Sequence, residues 1–142
     1  MAPNPTAELF RQLASGVDIP APGKLLSRIK PEDAARVLPG MPYSLLTNLA
    51  HMHFWQDLWL KKIRREKLPR FLEGDWRIPE ASEFPDLRAA FLSGFDEACG
   101  LANSGPEPEI AKTLVAIAIH DAYHLGQINL IKRSLRLVAR TR

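Results

Sequence analysis

The sequence predicts an all-α protein, a four-helix bundle whose first element is interrupted. Three observations carry this expectation. Apolar residues recur at helical spacing over three long segments, capping residues stand at the openings of those segments, and no stretch alternates with the period of a strand. Helices with broad apolar faces must bury them against one another, and a bundle is the usual outcome. The whole chain, residues 1–142, reads as one domain.

Asn4-Pro5 has the form of a cap followed by a first helical residue, and Leu9, Phe10 and Leu13 make a short apolar stripe ending at Gly16. Pro20, Pro22 and Gly23 then break the pattern. Leu25, Leu26 and Ile29 suggest another short helical piece, with a turn or two after Pro31. The segment from Tyr43 to about Glu66 reads as a long helix capped by Ser44, with Leu45, Leu49, Met52, Leu58, Trp59 and Ile63 at helical spacing. A second long helix opens near Asp86, carries Leu87, Phe91, Phe95, Ala98 and Leu101, and stops at Asn103-Ser104-Gly105-Pro106. Its interior Gly94 is a cost of about 1 kcal/mol relative to alanine. The third opens at Glu107-Pro108-Glu109 and runs Ile110, Leu114, Ile117, His120, His124, Ile128, Ile131 and Leu135 down one face. Between Leu68 and Pro85 lies a connection with Pro69, Gly74 and Pro79, of the length that often lines a site.

With 46% hydrophobic and 25% charged residues, the composition is that of an ordinary globular protein, and no apolar run approaches the ~20 residues that span a bilayer. Met1-Ala2-Pro3-Asn4-Pro5 lacks a charged region followed by an apolar stretch, so no membrane association and a cytoplasmic location are expected. Cys99 is the single cysteine, which excludes an internal disulfide and a cysteine-rich zinc knuckle; at its helical position it reads as a buried, inert thiol. The net charge of +3 does not argue for nucleic acid, which is not an expected partner. Lysines and arginines do cluster, at Lys61, Lys62, Arg64, Arg65, Lys67 and Arg70 and again at Lys132, Arg133, Arg136, Arg140 and Arg142. Both clusters read first as solvated helix carboxyl ends, where cations complement the macrodipole, with phosphate or nucleic-acid contact as the lesser reading.

The chemistry concentrates in His120-Asp121-Ala122-Tyr123-His124-Leu125-Gly126-Gln127-Ile128. Imidazoles at i and i+4 project from one helix face, with Cβ atoms about 5–6 Å apart, close enough to grip one metal ion. Zinc proteases present two ligands at this spacing. On an ideal helix His124 lies ~40° from His120 and Gln127 ~20° to the other side. The spacing also suits a pair of core histidines bonded to hydroxyls or backbone, so by itself it leaves both readings open. His51 sits in another helical segment and could complete a three-imidazole site. His53, ~200° around the same helix, faces elsewhere and reads as a boundary residue. Asp57 and Asp121 lie off these stripes, so no carboxylate is placed as a general base and the catalytic residues stay unassigned.

This last motif, with Leu130-Ile131-Lys132-Arg133 after it, resembles the carboxyl-terminal signature of the DinB-like (YfiT-like) metal-binding four-helix-bundle superfamily. Leu49-Ala50-His51-Met52-His53-Phe54-Trp55-Gln56 is similar to that family's second-helix motif, and Leu38-Pro39-Gly40-Met41-Pro42-Tyr43-Ser44 to the approach to it. The resemblance runs from about Pro39 to Leu137. It implies a homodimer carrying one divalent ion, Zn²⁺ or Ni²⁺, on His51, His120 and His124. It also implies a small-molecule substrate, a low-molecular-weight thiol among the candidates, handled by a transferase- or hydrolase-type reaction; a non-catalytic, metal-stabilised bundle that binds a partner protein or nucleic acid is the other reading. Trp55, Tyr123 and Gln127 are expected beside the ligands or facing the substrate. The proline-rich stretch at Pro20–Gly23 departs from the longer first helix of the family.

Overall fold

A computed structural model describes residues 3–70 and 73–140; Arg142 of the second basic cluster, and the first two residues, lie outside it. Among the described residues the protein is all-helical, with six α-helices, four of them long. α1 spans Pro5–Ser15, α2 Pro22–Leu25, α3 Pro31–Ala34, α4 Leu45–Ile63, α5 Phe84–Asn103 and α6 Pro108–Arg140; a 3₁₀ turn at Ala81–Glu83 leads into α5. None of these helices is long and apolar enough to cross a membrane.

The helix openings follow from local chemistry. The Asn4 side chain accepts a hydrogen bond from the Ala7 N–H at 3.0 Å, and Pro5 supplies a fixed first-turn φ. Gly16 ends α1 in the left-handed conformation, at φ 71°, which glycine adopts without steric cost. Ser44 caps α4 by accepting from the Thr47 N–H at 3.0 Å. Pro22 does not break the helical pattern as its sequence context suggests. It opens α2, because a proline in the first turn gives up an N–H that has no intrahelical partner.

Two apolar clusters hold the helices together. One joins Leu25, Leu26, Leu45, Leu49 and Met52 to Phe84, Phe91, Leu125, Ile128 and Ile131; the other joins Phe10 and Leu13 to Leu60, Phe95, Ala98, Leu114 and Ile117. α4 packs on both α5 and α6, while α1 packs on α5 and α6. The direction of each pairing decides which side chains can meet. Tyr43 and Asn48 meet Gln127 whereas His51 meets His120, so α4 and α6 are antiparallel. Gln56 meets Phe91 and Phe95, and Arg64 meets Glu97, so α4 and α5 run the same way. Parallel neighbours cannot be joined by a tight turn. The connection from Arg64 to Glu80 must therefore travel back along the molecule, which accounts for its length.

Gln56 is fully buried and reaches into α5, its amide nitrogen donating to the Phe91 carbonyl and its oxygen accepting from the Phe95 N–H, both at 3.2 Å. Gly94 makes room for it, since a Cβ there would overlap the Gln56 carboxamide. Asp121, also buried, is turned ~100° around α6 from His120, and neither of its carboxyl oxygens has a hydrogen-bond partner. Burial holds its carboxyl well above the ordinary carboxylate range.

Lys132 is not part of a solvated helix end. It is buried, and its ammonium donates to the carbonyls of Leu25 (2.7 Å), Ser27 (2.9 Å) and Lys24 (3.2 Å), satisfying the chain where α2 ends. A helix-end role would leave the ammonium in water; here it anchors another segment.

Gly94→Ala is expected to destabilise the protein by about 1–3 kcal/mol, through overpacking and the displaced amide. Denaturant unfolding of Gly94→Ala, Gln56→Ala and the double variant should show strong non-additivity; additive costs would contradict the close approach.

Candidate metal centre

α4 and α6 cross so that His51, His120 and His124 face one another. Each can offer one ring nitrogen, and these nitrogens all lie within 4.8 Å of one another. The ring centroids are 4.4 Å apart for His120 and His124, 4.6 Å for His51 and His124, and 5.0 Å for His51 and His120. His51 and His124 are buried, and His120 is half-buried at the edge of the seam.

The outer nitrogen of two rings is already engaged. His51 Nδ1 lies 2.5 Å from Asp75 Oδ1, so it is the protonated nitrogen and donates to the carboxylate. His124 Nδ1 lies 2.8 Å from Gln127 Oε1, and that oxygen also accepts from Asn48 Nδ2 at 3.0 Å and from the Tyr43 hydroxyl at 3.1 Å. An amide oxygen has only lone pairs to offer, so His124 too carries its proton on Nδ1. Both rings therefore present an unprotonated Nε2 to the space between the helices. His120 Nε2 stands 3.1 Å from His51 Nε2, while its Nδ1 is buried without a partner. This donor set fits a divalent ion. Imidazole nitrogens bound at ~2.0–2.1 Å in tetrahedral array sit about 3.4 Å apart, close to the His51–His120 separation.

Electrostatics favour the neutral, ligating form. Burial lowers the pKa of His120 to about 4, with the neighbouring His124 and His51 adding to the effect and Asp75 opposing it. Burial lowers that of His124 as well, against the Gln127 hydrogen bond. At neutral pH both rings are therefore neutral imidazoles with no second proton for a metal to displace, and the remaining proton of His120 lies on Nε2, shared with His51 Nε2.

The long connection completes the wall. Asp75 accepts from His51 through one oxygen and from Trp55 Nε1 through the other, at 3.0 Å. Trp76 stacks on His51 with centroids 3.8 Å apart and planes 13° from parallel, and it also contacts Tyr43 at 4.9 Å. Its φ of 57° is a left-handed conformation that costs a bulky residue of the order of 1–2 kcal/mol. The ring stack and the Asp75 bonds hold it there. Trp59 closes the other side of His120, edge-on at 5.3 Å. Next to the centre, Pro42, Tyr43, Ser44, Thr47, Trp76 and Ile78 line a mainly apolar cavity of about 350 Å³.

Of the residues expected beside the ligands, Gln127 touches His124 directly and Trp55 reaches His51 through Asp75. Tyr123 packs its ring 4.9 Å from His124, but it is 65% exposed and makes no hydrogen bond to the centre. His53 is half-buried outside the cluster, as its position around the helix requires. Asp57 pairs with Lys61 at 2.8 Å and plays no part. Cys99 also stays outside; it is half-buried, and burial pushes its thiol up to about 11. Sequence reasoning missed Asp75, Trp76 and Tyr43. The length of the Leu68–Pro85 connection is the one signal that pointed towards Asp75 and Trp76, and Tyr43 stands in the approach to α4 without a role assigned to it. Compared with protein-family models, curated proteins and solved structures, the chain matched none.

His51→Ala, His120→Ala and His124→Ala should each abolish stoichiometric Zn²⁺ or Ni²⁺ in elemental analysis of purified protein, and His53→Ala should not. Asp75→Ala should keep the site but weaken it about 10–100-fold in competition with a chelator, the effect of losing a partner that orients a ligand. Full metal retention in His120→Ala would remove that ring from the site.

Proposed function

We propose that the protein is a DinB-like four-helix bundle and a metal-dependent enzyme, with a divalent ion, Zn²⁺ or Ni²⁺, held by His51, His120 and His124. The observation that carries this reading is the pair of Nδ1 contacts, His51 to Asp75 and His124 to Gln127, which leaves the Nε2 atom of each ring unprotonated and turned towards the other histidines. A structural ion is normally enclosed by four protein ligands, whereas a three-imidazole set leaves a position for a small molecule. When bound, the ion supplies Lewis acidity and lowers the pKa of a bound water or thiol.

The chain's own residues do the rest. Asp75 and Gln127 hold two rings in one tautomer and orientation. Tyr43 and Asn48 hold Gln127 in turn. Trp55 fixes the second oxygen of Asp75, and Trp76 covers His51 from solvent. The neighbouring cavity is apolar on most of its wall, with Ser44 and Thr47 among the residues that line it. Its volume suits a small substrate rather than a polymer. The cavity reaches the centre through Tyr43 and Trp76, and its lining holds no carboxylate and no imidazole, which favours transfer to a small thiol over hydrolysis dependent on a separate base.

The protein as purified, loaded with Zn²⁺ or Ni²⁺, should conjugate a small thiol with an electrophile. The activity should disappear with a chelator and return with metal. Ester hydrolysis without thiol turnover would favour the hydrolase form. A metal that raises the melting temperature while no thiol or ester substrate reacts would overturn the enzymatic reading and leave a metal-stabilised bundle.

We propose further that the protein is a homodimer through α6. Ile119, Tyr123, Leu130 and Leu137 are each about 59–65% exposed and succeed one another at i, i+4, i+11 and i+18, a single straight stripe with Gly126 at its middle. Leu130→Glu should convert a dimer to a monomer in sedimentation without changing bound metal; a wild-type monomer at micromolar concentration would contradict this.

A further inference from the structure

The second basic cluster forms a cleft separate from the metal centre, and it is built differently from the first. A cavity of about 320 Å³ opens between the α2 segment and the last third of α6. Its polar wall includes Lys24, Arg28, Asn129, Lys132, Arg133 and Arg136, and Pro20 and Leu25 give it an apolar side. Five of these side chains are cationic. Among the described residues, no carboxylate forms an ion pair with Lys24, Arg28, Arg133 or Arg136; Asp33, on the smaller groove that adjoins the cavity, is the acid nearest in the lining.

The cluster at the end of α4 shows what a solvated basic surface looks like in this protein. There Lys61 pairs with Asp57 at 2.8 Å, and Arg64 pairs with Glu66 at 2.6 Å and Glu97 at 3.0 Å. In the α6 cleft nothing comparable offsets the charge. Nor does the helix dipole account for it. Lys132 lies eight residues before Arg140, about 12 Å from the end described, and the dipole's influence fades beyond the last turn.

The cleft is also held in shape. The buried Lys132 ammonium is fully used by three carbonyls of the α2 segment, so it fixes that wall and adds charge without being free to bind a ligand itself. Arg88 donates to the Leu26 carbonyl at 3.5 Å from the other side. Two residues on, Arg28 has a φ of 55°, a left-handed conformation that a non-glycine residue holds at a cost. Burial and the nearby Arg136, Arg28 and Lys24 all lower the pKa of Lys132, the mark of positive charge packed together without an anion.

We propose that this cleft binds the phosphate group of a small molecule, with Arg28, Arg133 and Arg136 as its direct donors and Lys24 at its edge. Guanidinium groups present paired N–H donors that match phosphate oxygens, and three of them around one hollow suit an anion of charge −2 or more. The apolar side at Pro20 and Leu25 accommodates the body of the ligand. The charges converge on one concavity of small-molecule size instead of spreading along a face, which sets it apart from a nucleic-acid footprint.

Isothermal titration of the full-length protein with pyrophosphate and with inorganic phosphate, at constant ionic strength, tests this. Saturable one-site binding is expected. Arg28→Gln and Arg136→Gln should each weaken it at least ~10-fold, as the loss of a charge-assisted hydrogen bond implies, and Arg136→Lys should weaken it less than Arg136→Gln. Both arginines lie at the surface of the cleft, and circular dichroism checks that the variants fold. Lys62→Gln, in the other basic cluster, should change nothing. Absence of saturation, or an equal loss in Lys62→Gln, would overturn the proposal. So would tight binding of an oligonucleotide or of phosphatidylserine vesicles that pyrophosphate fails to displace, since it would assign the cleft to a macromolecule or a membrane surface.

Discussion

A histidine nitrogen that carries a proton cannot ligate a metal, and the placement of two such protons organises this protein's centre. Asp75 takes the Nδ1 proton of His51, and Gln127 takes that of His124. Each acceptor is itself held, Asp75 by Trp55 and Gln127 by Asn48 and Tyr43. The result is a layered arrangement in which side chains that never reach the central space decide what the rings present to it. Burial acts in the same direction by disfavouring the protonated form of His120 and His124. Without these constraints, three neighbouring imidazoles would share protons among themselves in several patterns.

The topology makes that arrangement possible. The antiparallel pairing of α4 and α6 sets His51 opposite the i, i+4 pair His120 and His124. The parallel pairing of α4 and α5 obliges the intervening chain to return along the molecule, and on its way it lays Asp75 and Trp76 against His51. One feature of helix packing thus supplies both a partner for the ligand and a cover for it. The same logic appears at the opposite edge of the fold. Lys132 extends from α6 to the carbonyls of the α2 segment, and Gln56 extends from α4 into α5 beside Gly94. Buried Asn48, Gln56 and Lys132 thus join one element to another, whereas buried Ser44, Thr47 and Thr113 bond locally and Asp121 has no partner.

Much of this was legible in the sequence. Spacing, caps and prolines marked α1, α4, α5 and α6 within a few residues, because those signals are local. The two-histidine turn was legible for the same reason, and angle around the helix told His51 from His53. What escaped depended on which distant parts meet. Pro22 looked like a breaker because nothing nearby showed that a helix begins there. Lys132 looked like surface charge because its three acceptors lie more than a hundred positions earlier. Asp75 sits in a stretch without periodicity, so only the crossover reveals its role. Tyr123 shares the histidines' helix, yet its angle carries it outward to solvent.

Where the protons of His51 and His124 reside can be measured. Long-range proton–nitrogen correlation spectra of the ¹⁵N-labelled, metal-free protein at neutral pH report which ring nitrogen carries hydrogen. Both residues should appear as the Nδ1–H form with an unprotonated Nε2, and His51 should lose that preference in Asp75→Ala. Either ring found in the Nε2–H form, or His51 unchanged when Asp75 is removed, would contradict the arrangement on which the candidate metal centre rests.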